Sequence, residues 1–367
     1  MYPPGGLKAL KKQVMKEKIV IGMSGGVDSS AAAYLLKEQG YDVIGVTMTL
    51  WQETEEASSC FFNTAVKDAK RVAEKLKIPH YTVDFGEDFH RMVVDRFAED
   101  YAAGRTPNPC VLCNRFLKWG KLLEFADSIG AGKIATGHYA SVIKLPNGRY
   151  TVKRALSDKK DQAYALYLLT QEQLERTLMP LGGYDKEDIR KIAESIDPEI
   201  AKKRDSQEIC FIPDDDHGAF LSRYLKERMP LPGNFVDKDG NVLGRHKGIV
   251  YYTIGQRKGL NIAAGHPVFV TGIRPETNEV VIGEGEDLFT NTLNASEANF
   301  MGLSELPEAG LPAVCKIRYA HKGAACVVYP AADGFKVIFD EPQRAVTKGQ
   351  SAVLYEDGHI LCGGIIR

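Results

Sequence analysis

The stretch "KIVIGMSGGVDSS" at residues 18–30 decides the fold of the first part of the chain. Its β-branched residues at 19–21 are typical of a buried strand. The glycine pair at 25–26 lets the backbone approach a ligand more closely than a side chain would permit. The serine pair at 29–30 suits the first turn of a helix, whose free N–H groups bind anions. We therefore predict a strand, a phosphate-binding loop and a helix, with a tight turn that binds no ligand as the alternative.

The string "SGGVDS" at residues 24–29 has a more specific parallel. No lysine follows the glycines, so the loop lacks the Walker A arrangement that grips a γ-phosphate. It resembles instead the pyrophosphate-binding loop of the N-type ATP pyrophosphatases, the PP-loop superfamily, which cleave ATP between the α and β phosphates and adenylate a carbonyl oxygen. The resemblance implies that Asp28 helps to hold Mg²⁺ on the released pyrophosphate, because a hard cation prefers carboxylate oxygens.

The composition narrows the class of protein. A chain of 367 residues predicts two or three domains. The net charge of −1 gives no overall basic signal, so an RNA surface must be a local patch. No apolar run reaches about 18 residues, which argues against a membrane span. The seven cysteines, together with a lysine-rich start that has no apolar signal core, predict a cytoplasmic protein with mostly reduced thiols.

Strand and helix patterns alternate in the first part of the chain. We predict strands at 42–50, 79–85 and 133–140 and an amphipathic helix at 65–78. Such alternation is typical of a parallel sheet covered by helices, with its ligand crevice at the carboxyl ends of the strands. The residues that fall at those ends are 22–29, Met48 and Gly137.

The sequence changes character after about residue 226, where turn residues separate short β-rich runs. The pairs Asn147-Gly148 and Asp239-Gly240 predict hairpins. Short strands between turn signals favour small all-β modules, the last of them a barrel. We therefore predict an α/β fold in which a parallel-sheet PP-loop domain precedes a central β-rich domain and a C-terminal β-barrel. The predicted bounds are 1–17 for an N-terminal tail and 18–225, 226–290 and 291–367 for the three domains.

The stretch "GRTPNPCVLCNR" at residues 104–115 is the second informative segment. Its two prolines predict a stiff loop rather than a helix. Cys110 and Cys113 form a C-x-x-C, a spacing that suits zinc, an iron–sulfur cluster or a redox pair, although two loop cysteines by chance are the simpler alternative. No second C-x-x-C completes a four-cysteine zinc site. Cys210 is the third candidate, and the remaining four cysteines are predicted to be buried structural thiols.

Several motifs together identify a family. They are "GMSGGVDSS", "GRTPNPCVLCN", "ATGHYA", "KKDQAYALY", "DSQEICFI", "YYTIGQRKGL" and "IRYAHKG", and they span residues 22 to about 323. The chain resembles the bacterial-type tRNA-specific 2-thiouridylases, which make 2-thiouridine at the wobble position of certain tRNAs. Because length and domain order also agree, the resemblance covers nearly the whole chain and implies that the central domain binds tRNA.

The resemblance also implies roles for individual residues. Those implied to contact ATP are Gly22, Met23, Ser24, Gly25, Gly26, Val27, Asp28, Ser29, Met48 and Gly137. Those implied to meet the target base are Asn108, Pro109 and Cys110. Those implied to contact tRNA elsewhere are His138, Lys160, Asp161, Gln162, Arg318, Tyr319 and Gln350. Cys113 corresponds to the nucleophile, and Cys210 corresponds to the cysteine that carries the persulfide sulfur.

The chain departs from the family pattern at one site position. Cys110 stands where the commoner pattern has an aspartate, which could act as a base or an orienting group. The change creates a set of three cysteines, and related sulfur-inserting PP-loop enzymes use three cysteines to hold a 4Fe-4S cluster. Two routes therefore stay open: a cluster on Cys110, Cys113 and Cys210, or a persulfide relay that leaves a Cys113–Cys210 disulfide. The implied sulfur donor is a persulfide carrier, a cysteine desulfurase system or sulfide.

The chemistry of thiolation matches these groups. The C2 oxygen of uracil is a poor leaving group until adenylation turns it into AMP, and a sulfur nucleophile can then displace it. Two rival functions remain. Another AMP-forming PP-loop synthetase would leave the cysteine segments without a role, and a non-catalytic RNA-binding protein would form no AMP.

Two basic stretches are candidates for the RNA surface. Residues 147–162 carry five Lys or Arg against two acids, and residues 244–259 carry four Lys or Arg with no acid. Tyr251 and Tyr252 interrupt the second stretch, and such mixtures suit phosphate contact and base stacking. A solvated hairpin face is the alternative for either stretch.

Overall fold

The computed structural model describes residues 16–51, 55–203, 209–212 and 214–367, and within 55–63 it describes the backbone alone. The predicted tail at 1–17 therefore lies outside the described residues except at its end, and so do residues 205–208 of the "DSQEICFI" motif. Within the described part, no helix is both long and apolar enough to cross a membrane.

The first part of the chain alternates strands and helices. Its strands are β1 (Lys18–Gly22), β2 (Asp42–Thr49), β3 (His80–Asp84), β4 (Lys133–Ala135), β5 (Ala140–Lys144), β6 (Tyr150–Arg154) and β7 (Thr177–Leu178). Its α-helices are α1 (Val27–Glu38), α2 (Glu55–Leu76), α3 (Gly86–Phe89), α4 (Asp95–Ala102), α5 (Pro109–Cys113), α6 (Leu122–Ser128), α7 (Gln171–Glu175), α8 (Lys186–Ile196), α9 (Pro198–Ala201) and α10 (His217–Leu225). Two π-helices span His90–Val94 and Asn114–Lys121.

Five of these strands form the predicted parallel sheet. Their order is β3-β2-β1-β4-β7, and every neighbouring pair is parallel. Alternate residues of β1 are buried in different cores: Val20 packs in the cluster that contains Trp119, whereas Ile19 and Ile21 pack in the cluster that contains Ala32 of α1. Both faces of the sheet are therefore covered, which is why β1 reads as a continuous apolar run.

The prediction of a non-helical loop around the two prolines is wrong from Pro109 onward. Pro109 is the first residue of α5, a position where its missing N–H costs no hydrogen bond and its fixed φ suits the helix. The Asn108 side chain caps this helix by accepting from the Cys110 N–H at 3.2 Å. Both cysteines of the C-x-x-C thus lie on a short helix. The predicted strand at 133–140 is also shorter, because β4 ends at Ala135.

The rest of the chain is β-rich, as predicted. Its strands are β8 (Gly233–Val236), β9 (Val242–His246), β10 (Phe269–Arg274), β11 (Glu279–Gly283), β12 (Phe289–Phe300), β13 (Leu311–Lys316), β14 (Ala324–Ala331), β15 (Gly334–Arg344), β16 (Ser351–Glu356) and β17 (His359–Ile366). The central sheet has the order β10-β11-β8-β9. Strands β12 to β17 close into an antiparallel barrel through the β12–β17 pairing. The predicted α/β fold with a C-terminal barrel is confirmed.

Two further predictions can be checked in these sheets. Asn147-Gly148 joins β5 to β6 and Asp239-Gly240 joins β8 to β9, so both predicted hairpins are confirmed. The barrel core buries Cys315, Cys326 and Cys362, as expected of structural thiols, whereas the Cys60 side chain lies outside the described residues. The β5–β6 hairpin belongs to the first part of the chain, yet it extends the barrel sheet through the pairing of β6 with β17.

Candidate active site

The phosphate loop connects β1 to α1 in the predicted manner. Gly26 is the N-cap residue of α1, and the Ser30 hydroxyl donates to the Gly26 carbonyl at 2.7 Å. The Ser29 hydroxyl accepts from the Ser24 N–H at 3.1 Å. Gly25 has a φ of +69°, and a Cβ at this position would collide with the Ala65 carbonyl oxygen. The loop is therefore a tightly folded backbone cradle at the N-terminus of a 12-residue helix.

Residues from the two strands that flank β1, namely β2 and β4, meet this loop at one edge of the sheet. The Thr47 hydroxyl of β2 donates to the Met23 carbonyl at 2.9 Å. Gly137, just beyond β4, lies so close that a Cβ would stand 2.9 Å from the backbone carbon of Asp28 and from the nitrogen of Ser29. Met48 is half-buried near the end of β2. The predicted ATP-contact residues therefore share the carboxyl edge of the sheet, and their contact with ATP stays a prediction.

The Asp28 carboxylate has two partners that the sequence did not suggest. The Lys186 ammonium lies 2.7 and 2.9 Å from its two oxygens, and the Tyr139 hydroxyl donates to it at 2.8 Å. Lys186 is the first residue of α8, where the helix dipole disfavours a cation. A lysine at a helix N-terminus is stabilised by a carboxylate partner. The position of Lys186 was therefore the one signal in the sequence that it has such a partner.

The three candidate cysteines lie within electrostatic reach of one another. Cys110 and Cys210 are exposed, Cys113 is half-buried, and all three carry free thiols, so the disulfide of the relay is not present. Burial raises the pKa of Cys113, and the neighbouring Cys110 raises it further. Desolvation by the surrounding protein atoms raises the pKa of Cys210 to about 12, although the residue is exposed to solvent. Both thiols are therefore protonated at neutral pH until something stabilises the thiolate.

Lys118 is the cation that opposes these shifts. Its charge lowers the pKa of both Cys113 and Cys210. Cys113 is the N-cap residue of the π-helix Asn114–Lys121, in which hydrogen bonds join residues five apart. Lys118 stands five residues after Cys113, so the π-helical winding returns it to the side of that cysteine. An ordinary α-helix would have turned it elsewhere, which is why the sequence pattern did not reveal it.

His138 connects the cysteine region to the phosphate loop. The Lys118 ammonium lies 3.5 Å from its Nε2, and Nδ1 lies 2.8 Å from the Thr136 hydroxyl. Burial and the nearby Lys118 charge hold the pKa of His138 well below its usual value, so the ring is neutral. A nitrogen that faces an ammonium must accept, and Nδ1 therefore carries the proton. Gly137 touches the phosphate loop and His138 touches Lys118, so two consecutive residues join the two halves of the site.

The C-terminal barrel supports the segment that leads into α5. The Thr106 N–H donates to the Lys348 carbonyl at 2.8 Å, and the Gln350 amide donates to the carbonyls of Thr106 and Pro107 at 2.9 and 3.4 Å. Gly349 has a φ of +89°, and a Cβ there would lie 2.8 Å from the Thr106 nitrogen. Residues 348–350, which we term the barrel clamp, thus hold the cysteine segment through its backbone.

We expect Gly349→Ala to loosen this clamp. The new methyl group meets backbone at an unfavourable φ, so the Tm should fall by about 2–4 °C more than in a control. The matched control is Gly358→Ala, since Gly358 has a φ of +77° but open space where its Cβ would stand. Thermal unfolding followed by circular dichroism measures the difference. Equal losses of Tm in the two variants would show that the close contact with Thr106 is unimportant.

The predicted tRNA contacts fall in two environments. Asp161 is buried, and its carboxylate accepts from the Arg154 side chain and from the N–H groups of Ala155 and Ala163. Gln162 exchanges two hydrogen bonds with the backbone of Tyr139. Both residues thus already hold structural contacts, whereas Lys160 is half-exposed.

The barrel contributions are more accessible. Tyr319 is 48% exposed and packs edge-on against Tyr164. Burial raises the pKa of Tyr319, and the charges on Asp161 and Cys110 raise it further. Arg318 donates to the Arg344 carbonyl at 3.1 Å. Contact of these residues with tRNA stays a prediction.

Comparison with known proteins gives three consecutive family matches. They are described as "tRNA methyl transferase HUP domain" over residues 17–214, "tRNA methyl transferase PRC-barrel domain" over 218–284 and "Aminomethyltransferase beta-barrel domain" over 290–366.

Relatives match along nearly the whole chain. The tRNA-specific 2-thiouridylase MnmA of Lachnoclostridium phytofermentans is 53% identical over 356 residues, which cover 95% of this chain and 99% of that protein. The protein of the same name from Clostridium perfringens is 55% identical over 359 residues, which cover 96% and 98% of the two chains. The family descriptions mention methyl transfer, whereas these full-length relatives are named for thiolation. The chain belongs to the family of tRNA-specific 2-thiouridylases, which are tRNA sulfurtransferases.

Proposed function

We propose that the protein adenylates the C2 oxygen of the wobble uridine of tRNA with ATP and then replaces AMP by sulfur, giving 2-thiouridine, AMP and pyrophosphate. The observation that carries this proposal is the junction at residues 137–138. Gly137 lies against the phosphate loop, and His138 lies against the lysine beside the cysteines. A uridine held there would have an activating nucleotide on one side and sulfur chemistry on the other.

The phosphate loop offers the groups that an ATP·Mg²⁺ complex needs. The backbone N–H groups at the start of α1 face the phosphates, and the Asp28 carboxylate is a suitable ligand for a hard cation. Mg²⁺, when bound, would neutralise charge on the departing pyrophosphate. Without nucleotide, the Lys186 ammonium and the Tyr139 hydroxyl both donate to the Asp28 carboxylate. A nucleotide bound at this loop would lie beside Gly137, which contacts the backbone of Asp28 and Ser29.

Cys210 and Cys113 support a persulfide relay. The terminal sulfur of a Cys210 persulfide attacks C2, and AMP leaves with the former C2 oxygen. The Cys113 thiolate then attacks the inner sulfur of the adduct, the S–S bond to the uridine sulfur breaks, and that sulfur remains as the thiocarbonyl. A Cys113–Cys210 disulfide is left, which an external thiol reduces. The outer persulfide sulfur is transferred to Cys210 from a persulfide carrier or a cysteine desulfurase system, both of which already hold sulfur at the persulfide level, and Lys118 stabilises the Cys113 thiolate.

A 4Fe-4S cluster on the three cysteines is the alternative source of sulfur. Such a cluster would need the three cysteine sulfurs to lie around one common position. Among the described residues, no group of three or more His, Cys, Asp or Glu side chains converges on a common metal position. Cys110, Cys113 and Cys210 are all among the described side chains. Their thiols, as placed, therefore do not fit a cluster. We therefore route no step through iron and give the relay as our proposal.

The proposed reaction is tested with purified protein, unmodified tRNA, ATP, Mg²⁺ and a persulfide donor. We expect AMP and 2-thiouridine to appear in equal amounts, with each depending on tRNA. An AMP-forming synthetase of another kind would release AMP without thionucleoside. A non-catalytic RNA-binding protein would bind tRNA and release no AMP, and either result would contradict the proposal.

We expect the second basic stretch to bind tRNA phosphates. Arg257 and Lys258 are exposed, and Lys247 in the same stretch lies 4.0 Å from the Tyr251 ring centre. Replacing Arg257 and Lys258 together by alanine should weaken tRNA binding and reduce the slope of log K against log salt by about 1.5, because fewer counterions are released.

The control for this double variant removes two charges elsewhere. Lys191 and Lys202 are exposed and paired with Asp188 and Glu199, so Lys191→Ala with Lys202→Ala changes net charge equally. Filter binding of tRNA at several salt concentrations measures the slopes. If both double variants leave affinity and slope unchanged, the RNA docks on another surface.

A further inference from the structure

The ion pair between Lys186 and Asp28 is more buried than an ordinary surface salt bridge. The Lys186 side chain is 14% exposed and the Asp28 side chain is 34% exposed. The ammonium contacts both carboxylate oxygens, and the Tyr139 hydroxyl makes the third contact. The ammonium also lies 5.7 Å from the Tyr139 ring centre. One cation thus already occupies the carboxylate of the phosphate loop.

Buried structure holds both partners of Asp28, Lys186 and Tyr139, in place. Lys186 opens α8, whose Ile189 and Ala193 are fully buried in the core cluster that also contains α1. Tyr139 is 2% exposed, and its backbone exchanges two hydrogen bonds with Gln162. The ammonium and the hydroxyl therefore meet the carboxylate on a rigid frame rather than on flexible loops.

We propose that Lys186 is a positioning residue that competes with the divalent cation for Asp28. In the nucleotide-free protein the ammonium occupies the carboxylate. When a polyphosphate arrives with its metal, the ammonium turns to the phosphate oxygens and frees carboxylate oxygen for the metal. The idea rests on the proposed use of ATP at this loop. It follows from charge, because two cations at one carboxylate repel each other unless further anionic oxygens join them.

The competition predicts opposite effects of one substitution on metal and on nucleotide. In Lys186→Met, Mn²⁺ without nucleotide should bind about tenfold more tightly than in the wild type, because its competitor is gone. The same variant should bind α,β-methylene-ATP about tenfold more weakly, since the phosphates lose a cation. Electron paramagnetic resonance of free Mn²⁺ and calorimetry with the nucleotide measure the two affinities, and neither needs turnover or tRNA.

Two controls isolate the carboxylate. Lys191→Met removes an exposed charge from the same helix and should leave both affinities unchanged. Asp28→Asn added to Lys186→Met should abolish the gain in Mn²⁺ affinity. Lys186→Gln keeps a hydrogen-bond donor without charge and should show the same gain, which also covers a Met variant that fails to fold.

Contrary outcomes are equally clear. Unchanged or weaker Mn²⁺ binding in the two Lys186 variants would overturn the competition, and so would an unchanged nucleotide affinity. Failure of the proposed function would appear differently, as a wild-type protein that binds no α,β-methylene-ATP and forms no AMP, since the Mn²⁺ measurement is made without nucleotide.

Discussion

Asp28→Ala is expected to lower AMP formation by about 10²–10³-fold, the range seen when one preorganised electrostatic group is removed from a reaction centre. The substitution removes the only carboxylate within the string 24–29 and with it a ligand for the pyrophosphate-bound cation. It also leaves the Lys186 ammonium and the Tyr139 hydroxyl without their acceptor. The measurement is the rate of AMP and pyrophosphate release in the presence of tRNA.

Two variants separate chemistry from folding. Asp28→Asn keeps an oxygen that Lys186 and Tyr139 can donate to, so it should fold like the wild type while still losing most AMP formation. Asp42→Ala removes an exposed carboxylate at the opposite end of the sheet and should change nothing. Normal AMP release by well-folded Asp28→Ala would mean that this loop does not serve the nucleotide.

Cys113→Ser and Cys210→Ser are each expected to reduce 2-thiouridine formation at least about a thousandfold, because a hydroxyl at either position can neither carry persulfide sulfur nor form the disulfide. AMP formation should persist at a reduced rate, since the phosphate loop is untouched. Liquid chromatography of digested tRNA measures the thionucleoside, and a nucleotide assay measures AMP. Loss of both products to the same degree would place these cysteines in the nucleotide step instead.

The same site predicts a pH dependence. The pKa of Cys113 is raised by burial, so the reactive thiolate is scarce at neutral pH and increases as the pH rises toward that pKa. Single-turnover sulfur transfer should therefore accelerate from neutral to alkaline pH. Because the Lys118 charge lowers this pKa, Lys118→Met should move the profile to higher pH. A profile that stays in place would show that Lys118 does not act on the thiol.

Cys110 distinguishes the two sulfur routes. In the persulfide relay, Cys110 lies beside Cys113 and Cys210 but forms no bond to sulfur. Cys110→Ala should therefore keep thiolation within about fivefold of the wild type. In the cluster route, Cys110 would be one of three cluster ligands. Its loss would remove both the brown colour that an iron–sulfur cluster gives the protein and the thiolation activity. The decisive comparison is made without oxygen, with and without iron and sulfide. Thiolation that requires bound iron and Cys110 would replace the relay by the cluster.

The sequence was informative wherever a local pattern carried the structure. The apolar run and the glycine pair of residues 18–30 predicted β1, the loop and α1, and Asn147-Gly148 predicted its hairpin. Pro109 misled because proline both breaks helices and begins them, and the choice depended on the Asn108 cap. The partner of Lys186 could not be predicted, since its position at a helix start suggests a carboxylate but 158 residues separate it from Asp28. Lys118 was hidden by the π-helical winding.

The barrel clamp has a consequence for synthesis of the protein on the ribosome. Gln350 supports the backbone at Thr106 from 244 residues further along the chain, and β17 (His359–Ile366) pairs with β6. A nascent chain can complete its five-stranded sheet and phosphate loop long before these last strands emerge. The cysteine segment gains this support only after residues 348–350 have emerged, so a product that ends before them would have its phosphate loop beside an unsupported cysteine segment.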